Sequence, residues 1–390
     1  MRSLVTAASA AVLLLAVAGC GGGSQAANAP QGEPLVLGIV NTDSSAGSLK
    51  STGDGLEAWV KAQNAKGGVQ GRPLEVSRCD DAGDPQKNAD CARRMVADPK
   101  VLVIAGSAGR HLGATSGPIF EAASMPVICA SPSSVQEFSG KTAFCIRGGH
   151  LVGFASVLDY WKKNNINTVT YVAQDTAAGH SSANDLKTLQ SIVGTTPAGE
   201  SYVPQNSPDF LPAAQAAEAS DPNAILLGMA PNVTLQMLQA FQTVGSKPTL
   251  GTNGGSLNGA VISSPASEGL YADNSFPVFS STDPAMTEFK NGMGEAGFDK
   301  EIDGYALAGW LTGKVFENVA NQVGPNPTRE SILKVLMDGK VENVPLLPAV
   351  LSRANAPKSI PNLGAIANPT THVVQIKNGE LTDLGTFTMP

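Results

Sequence analysis

The sequence predicts an α/β protein of two lobes, each built on a parallel β-sheet. Short apolar runs alternate with amphipathic stretches of helical length, which is the pattern of successive βαβ units. The alternation begins at Leu35 and restarts after Arg147-Gly148-Gly149. The chain beyond its N-terminal segment has roughly 355 residues, more than a single hydrophobic core usually holds. We therefore expect two similar α/β runs that fold as two lobes.

The predicted strands and helices follow one another regularly, because apolar residues recur at helical spacing between the short apolar runs. In the first run, strands at 35–40, 73–77, 101–105 and 126–129 alternate with helices at 52–66, 85–97 and 111–124. In the second run, helices at 151–164, 181–193, 209–219 and 233–244 alternate with strands at 168–173, 200–203, 224–227 and 249–251. Helices at 284–295, 304–322 and 328–337 follow, and Asn378-Gly379 predicts the turn of a C-terminal hairpin.

The first residues of the chain have the pattern of an export signal. Arg2 precedes an uncharged stretch that is too short for a comfortable membrane span and ends in small residues. Residues 15–20, Leu-Ala-Val-Ala-Gly-Cys, resemble the bacterial lipobox, which implies cleavage before Cys20 and a diacylglyceryl group on it. We therefore assign 1–19 to a lipoprotein signal peptide and the Gly-, Ala- and Ser-rich segment 20–33 to a flexible tether. The alternative is a plain secretory signal in which Cys20 has no role.

The charge of the chain argues against polyanionic partners. The formal net charge is -7, and Lys and Arg form no runs. A protein that binds nucleic acid or an anionic lipid surface usually carries a basic patch. We therefore expect neither as a partner.

Four cysteines remain besides Cys20, namely Cys79, Cys91, Cys129 and Cys145. An even number in an oxidising compartment suggests two disulfides, for which three pairings exist. We choose the short-range pairing, Cys79 with Cys91 and Cys129 with Cys145, in which each bond would stabilise the fold by roughly 3 kcal/mol through loop-closure entropy. A zinc site is the weaker alternative, because the chain has no C-x-x-C motif and no histidine near these cysteines.

Two segments come close to catalytic motifs, and each lacks a residue that the chemistry needs. Residues 139–142 contain the Gly-Lys-Thr of a P-loop, but Val135 stands where the loop requires glycine. Residues 254–258 resemble a nucleophile elbow, but Asn258 replaces its last glycine. The histidines are scattered and form no metal-binding motif. We therefore predict no enzyme, no cofactor and no metal site.

Seven short segments carry a resemblance to a known family. They are GGVQGRP (67–73), DDAGDP (80–85), VIAGS (103–107), MPVI (125–128), GTNG (251–254), EGLY (268–271) and YALAG (305–309). Their order and spacing resemble the type I periplasmic binding proteins, in particular the branched-chain amino-acid branch. The resemblance implies two doubly wound parallel-sheet lobes joined by three crossing strands, with the ligand in the cleft between them. The lobes would be 34–148 plus 275–340, and 149–274 plus 341–390.

The resemblance also implies where the ligand binds. In open parallel sheets, ligands bind beyond the carboxyl ends of the strands, where helix N-termini favour anionic groups. The first-lobe candidates in those loops are Ser107, Ala108, Arg110, Ser131, Ser133 and Ser134. The serines could instead cap helices. Arg110 could pair with an acidic ligand or be a solvated charge at the rim of the cleft.

The second-lobe loops depart from the pattern of the amino-acid binders. Ala178, in the loop that begins at Asp175, and Ala230 stand where aromatic residues are usual, and Asn253 stands where an acidic residue pairs with the ligand's ammonium group. Asparagine cannot neutralise a buried ammonium. The ligand is therefore expected to be small and polar, an amino acid or a related amide or carboxylate, with aromatic or sugar-like metabolites also open. The altered positions favour a ligand without an ammonium group.

Together, the lipobox and the resemblance imply a solute-binding lipoprotein of an ABC importer. It would be held by Cys20 on the extracytoplasmic face of the cell membrane and, as a monomer, present a small-molecule ligand to the ABC permease. The alternative is a receptor that signals ligand binding to a membrane partner instead of delivering cargo.

The lipid anchor predicts the outcome of one substitution. Cys20→Ala removes the thiol that would carry two acyl chains, which together hold a protein at a membrane far better than one chain does. We expect the variant to leave the membrane fraction for the soluble fraction, as measured by fractionation and immunoblotting. Unchanged membrane partition would contradict the anchor.

Overall fold

The computed structural model of the protein describes residues 29–45, 48–109, 111–205 and 207–390. The predicted signal peptide, most of the predicted tether, Cys20 and Arg110 lie outside these ranges. Within the ranges, no helix is long and apolar enough to cross a membrane.

The first lobe contains a parallel sheet with the strand order β2-β1-β3-β4-β5. Its strands are β1 Leu35–Asn41, β2 Leu74–Asp80, β3 Val101–Ile104, β4 Val127–Cys129 and β5 Ala143–Cys145. Every residue of β1 is buried. This agrees with its near-continuous apolar sequence, because a central parallel strand is covered by helices on both faces.

The second lobe contains a mixed sheet with the order β14-β13-β10-β9-β8-β6-β7. Its strands are β6 Thr168–Gln174, β7 Thr196–Val203, β8 Ala224–Gly228, β9 Thr249–Thr252, β10 Tyr271–Asn274, β13 Thr370–Lys377 and β14 Glu380–Thr388, and the small pair β11 Val341–Glu342 and β12 Val350–Leu351 stands apart. The last two strands of the sheet run antiparallel, and Asn378 and Gly379 turn between them with positive φ, as the predicted hairpin requires.

Helices cover the two sheets. They are α1 Lys50–Ala65, α2 Pro85–Ala97, α3 Gly117–Ala122, α4 Val135–Ser139, α5 Gly149–Lys163, α6 Ala177–Val193, α7 Leu211–Glu218, α8 Pro231–Val244, α9 Gly259–Ile262, α10 Pro284–Ala296, α11 Gly304–Val323 and α12 Arg329–Asp338. A π-helical segment, Leu112–Ser116, runs directly into α3. These elements confirm the predicted α/β fold class.

The chain passes between the lobes three times within the described ranges. It leaves the first lobe after Ile146, returns at Phe276 and leaves again after Ala367, since all three residues belong to the core of the first lobe. The third passage is later than the predicted boundary at residue 340, because Val341 and Leu351 also pack into that core. The short β11–β12 pair thus extends the first lobe.

Helices α1 and α11 pack with their backbones in direct contact. A Cβ atom added at Gly309 would lie 1.8 Å from the carbonyl oxygen of Thr52, and one added at Gly55 would lie 1.9 Å from that of Ala306. Because only glycine leaves this space empty, the two helices approach more closely than side chains would allow. The contact fixes α11 to the first lobe, although α11 is distant from α1 in the sequence.

The cysteines confirm one predicted disulfide and correct the other. Cys79 and Cys91 are bonded and join β2 to α2. Cys129 and Cys145 are both buried and unbonded, although they are register partners on β4 and β5. The Cys145 thiol instead donates to the carbonyl oxygen of Glu137 at 3.7 Å, and burial raises its pKa, which keeps it in the thiol form.

The glycine contact between α1 and α11 makes a specific prediction. Gly309→Ala should lower the free energy of unfolding by about 1–3 kcal/mol, because the added methyl group collides with the backbone of α1. Gly294→Ala in α10 is the matched control, since nothing lies within 4 Å of a Cβ atom there. The control should be stabilised by about 0.5–1 kcal/mol through helix propensity. Equal denaturant midpoints for the two variants would contradict the close packing.

Candidate functional site

A cavity of about 240 Å³ lies between the lobes, at the carboxyl ends of the strands. Its polar and charged lining includes Ser131, Arg147, His150, Asn253, Asp273 and Tyr305. These residues come from the loops after β4, β5 and β9, from β10 itself and from the first turns of α5 and α11. Residues of both lobes therefore line one cleft, in the position where open parallel sheets bind ligands.

The loop after β4 forms the first-lobe wall and is held by Glu137. A carboxylate oxygen of Glu137 accepts hydrogen bonds from the backbone N–H groups of Ser133 and Ser134, at 3.0 and 3.1 Å, and from the Ser134 hydroxyl at 2.9 Å. Ser134 is the N-cap of α4 in a capping box, and burial raises the pKa of Glu137. Ser131 and Ser133 line the cleft.

Arg147 is the cationic group of the cleft. It follows β5 at the first passage between the lobes, and its guanidinium carbon lies 5.8 and 6.0 Å from the ring centroids of Phe276 and Tyr305. Its Nε is buried and has no hydrogen-bond partner in the described part of the chain. A half-buried guanidinium in this state is a ready partner for an anion.

Asp273 is the acidic group of the cleft and is 4 % exposed. Its Oδ1 accepts a hydrogen bond from the backbone N–H of Gly254 at 2.7 Å, and its Oδ2 accepts one from the Thr371 hydroxyl at 3.5 Å. Burial raises its pKa, while the Gly254 N–H and the charge of Arg147 lower it. Asp273 is therefore a buried carboxyl group with few partners.

His150, at the start of α5, completes the second-lobe side of the cleft. Its Nε2 lies 3.1 Å from a carboxylate oxygen of Asp185 on α6, and its ring is flanked by the rings of Phe138 and Phe154. Among the described residues, no group of three or more His, Cys, Asp or Glu side chains could hold a metal ion.

Some of the residues expected at the site line this cavity and others do not. Ser131, Ser133 and Asn253 line it, whereas Ser134 caps α4. Ser107 and Ala108 are buried and do not line it; the Ser107 hydroxyl accepts from the Val40 N–H, and the Ala108 N–H donates to the Asn41 side-chain oxygen. Asp175, Ala178 and Ala230 are exposed, and Asp175 contacts His180 instead. Ser107 also lines a second, mainly apolar cavity of about 250 Å³ within the first lobe.

Two charged residues of the cleft were missed as site residues in the sequence. The sequence pattern gives Arg147 only as part of the boundary between the two runs, but it lies two residues after the buried strand β5 and before two glycines, at the strand's carboxyl end. Asp273 is an acidic residue inside a short strand, which is an unusual place for a charge unless it has a role.

The contacts of Glu137 predict its effect on the loop after β4. Glu137→Ala should lower the free energy of unfolding by about 1 kcal/mol, because the capping box is lost. The backbone amides of Ser133 and Ser134 should exchange faster with solvent hydrogen, as followed by hydrogen-exchange mass spectrometry. Gln136→Ala, on the exposed face of the same helix, is the control and should change neither quantity. Unchanged exchange in Glu137→Ala would show that the loop is held by other contacts.

Comparisons with known proteins agree with this architecture. A family model described as "Periplasmic binding protein" matches residues 34–377. No curated protein matches the chain.

Solved structures share the fold at low sequence identity. An ABC transporter substrate-binding protein from Sphaerobacter thermophilus is 17% identical, covers 91% of this chain and 98% of its own, and has a TM-score of 0.75. A solute-binding protein of an ABC transporter from Rhodopseudomonas palustris, in complex with p-hydroxybenzoic acid, is 16% identical, with 92% and 98% covered and a TM-score of 0.73. A putative branched-chain amino acid ABC transporter protein from Rhodospirillum rubrum is 18% identical, with 90% and 100% covered and a TM-score of 0.66.

The family match spans most of the chain, and both lobes with the cleft between them are present. The chain therefore belongs to the type I periplasmic binding proteins, the non-enzymatic substrate-binding proteins of ABC transporters.

Proposed function

We propose that this protein captures a small carboxylate-bearing ligand in the cleft and delivers it to an ABC permease. The observation that carries the proposal is Arg147, which lines the cleft and whose buried Nε has no hydrogen-bond partner among the described residues. A guanidinium partly removed from water is costly without an anion, and a carboxylate that binds it in bidentate fashion supplies the missing interactions. The Ser131 hydroxyl group can donate to the same ligand.

The aromatic groups around Arg147 support an anchoring role. Phe276 and Tyr305 hold the guanidinium between the lobes by cation–π contact and exclude water from one side of it. Removal of water strengthens an ion pair with the ligand, because the effective dielectric constant is lower. The related structure from Rhodopseudomonas palustris holds p-hydroxybenzoic acid, which carries a carboxylate, and this is consistent with the same ligand chemistry.

We further propose that Cys20 anchors the protein at the extracytoplasmic face of the membrane. The described chain begins at Ala29, and the Gln31 N–H donates to the carbonyl oxygen of Gly71 at the base of the first lobe. The tether would therefore leave the molecule from that lobe. Closure of the lobes about the three passages would then trap the ligand before it is presented to the permease.

Ligand capture by Arg147 can be tested by thermal shift. A panel of carboxylic acids, amino acids, amides and sugars is added to the mature protein, and a ligand at about 100 times its Kd should stabilise the fold by about 2.7 kcal/mol. We expect carboxylates to raise the melting temperature. Arg147→Gln should weaken their binding about 10- to 100-fold, the loss expected for a charge-assisted hydrogen-bonded pair.

Arg93→Gln is the matched control, because it removes the same charge from a side chain that is 60% exposed on α2. The control should bind carboxylates as the wild type does. Stabilisation by amides or sugars alone, or equal binding by Arg147→Gln and the wild type, would contradict a carboxylate ligand.

A further inference from the structure

We infer that Asp273 is a second recognition residue of the cleft, and that the ligand is a carboxylic acid which also carries a hydrogen-bond donor, an ammonium or hydroxyl group, directed at Asp273. This inference rests on the proposed function, because it assumes that the carboxylate of the ligand binds at Arg147. It adds a hydrogen-bond donor at the end of the ligand that lies away from the carboxylate.

The first argument is that the Asp273 carboxylate is buried with too few donors. An ionised carboxylate can accept about four hydrogen bonds. Within the described chain, one short bond reaches Asp273, from the Gly254 N–H at 2.7 Å, and the bond from the Thr371 hydroxyl is long at 3.5 Å. Neither donor is charged. Because a buried carboxylate is costly unless it is paired, a donor supplied by the ligand would satisfy a group that the protein leaves incomplete.

The second argument is that the packing around Asp273 keeps it in this position. Helix α5 approaches the carboxylate so closely that a Cβ atom added at Gly153 would lie 2.3 Å from its Oδ1. A Cβ atom added at Gly254 would lie 2.5 Å from the Asp273 carbonyl oxygen. Two glycines therefore make room for this residue, and the carboxylate is held at the edge of the cavity that it lines.

The third argument is the arrangement of charge in the cleft. Arg147 and Asp273 line the same cavity but make no hydrogen bond with each other in the described chain, although the charge of Arg147 lowers the Asp273 pKa. A ligand with a carboxylate at one end and a donor at the other can satisfy both groups at once. Asp273 also changes the expectation drawn from Asn253, because the cleft does contain an acid that an ammonium could meet.

The test compares acids that differ only in the donor, and the first pairs are leucine with 4-methylpentanoate, and p-hydroxybenzoate with benzoate. Affinities for the mature protein are measured by calorimetry. We expect the donor-bearing acid of at least one pair to bind about 10-fold more tightly than its donor-free partner, a difference of about 1.4 kcal/mol in binding free energy. Asp273→Asn should bring the ratio of the two affinities close to one. It should leave the affinity of the donor-free acid unchanged or higher. The pair that shows the preference tells whether the donor is an ammonium or a hydroxyl group.

Asp273→Asn should fold, because the asparagine oxygen still accepts from the Gly254 N–H. Its melting temperature without ligand at neutral pH should equal or exceed that of the wild type, since an incompletely paired buried charge is removed; a purely structural aspartate would give a lower value. Asp90→Asn, at a side chain that is 63% exposed, is the control and should keep the preference.

Equal affinities within both pairs in the wild type, or a preference that survives Asp273→Asn, would overturn the role of Asp273. The wild-type comparison decides the question even if the variant does not fold. If acids bind and depend on Arg147 but show no donor preference, only this inference fails. If no acid in the panel binds, the proposed function fails as well.

Discussion

The positions of the charged groups in the cleft are set by the three segments in which the chain passes between the lobes. Arg147 lies in the first passage, after β5, Asp273 lies on the strand that leads into the second, and Thr371 lies just beyond the third. Asp273 accepts hydrogen bonds from Thr371 and from the Gly254 loop, so that one carboxylate connects the second and third passages to the second-lobe wall of the cleft. The segments about which the lobes would close are therefore also the segments that hold the recognition groups.

This arrangement leaves polar groups of the cleft incompletely paired by the protein. The buried Nε of Arg147 has no hydrogen-bond partner among the described residues, and Asp273 has one short hydrogen bond. By contrast, one guanidinium group outside the cleft is well paired. Arg78 contacts Asp43, Asp54 and Glu57 in a half-buried network on the first lobe. A binding protein tolerates incomplete pairing where the ligand supplies the missing contacts, because specificity follows from groups that only the correct ligand satisfies.

The local pattern of the sequence predicted the elements well and the site only in part. The strands β1 to β4 and β6 to β9 and the C-terminal hairpin follow from apolar runs and from the Asn378-Gly379 turn, whereas the short strands β5 and β10 are not predicted. The predicted Cys79–Cys91 bond is confirmed, but Cys129 and Cys145 are free thiols, and the Cys145 thiol donates a hydrogen bond to the Glu137 carbonyl oxygen. Of the ligand residues that the resemblance implied, Ser131, Ser133 and Asn253 line the cleft. Ser107 and Ala108 instead form hydrogen bonds with Val40 and Asn41, at the end of β1.

The sequence by itself determined the fold class, the two α/β runs and the export signal pattern, because hydrophobic periodicity and signal motifs are local properties of the chain. Only the tertiary structure decided which charged groups share the cleft. Arg147 and Asp273 are far apart in the sequence, and no local pattern relates them. They meet because parallel strands place their carboxyl ends at one edge of a sheet, and because the passages between the lobes bring two such edges face to face.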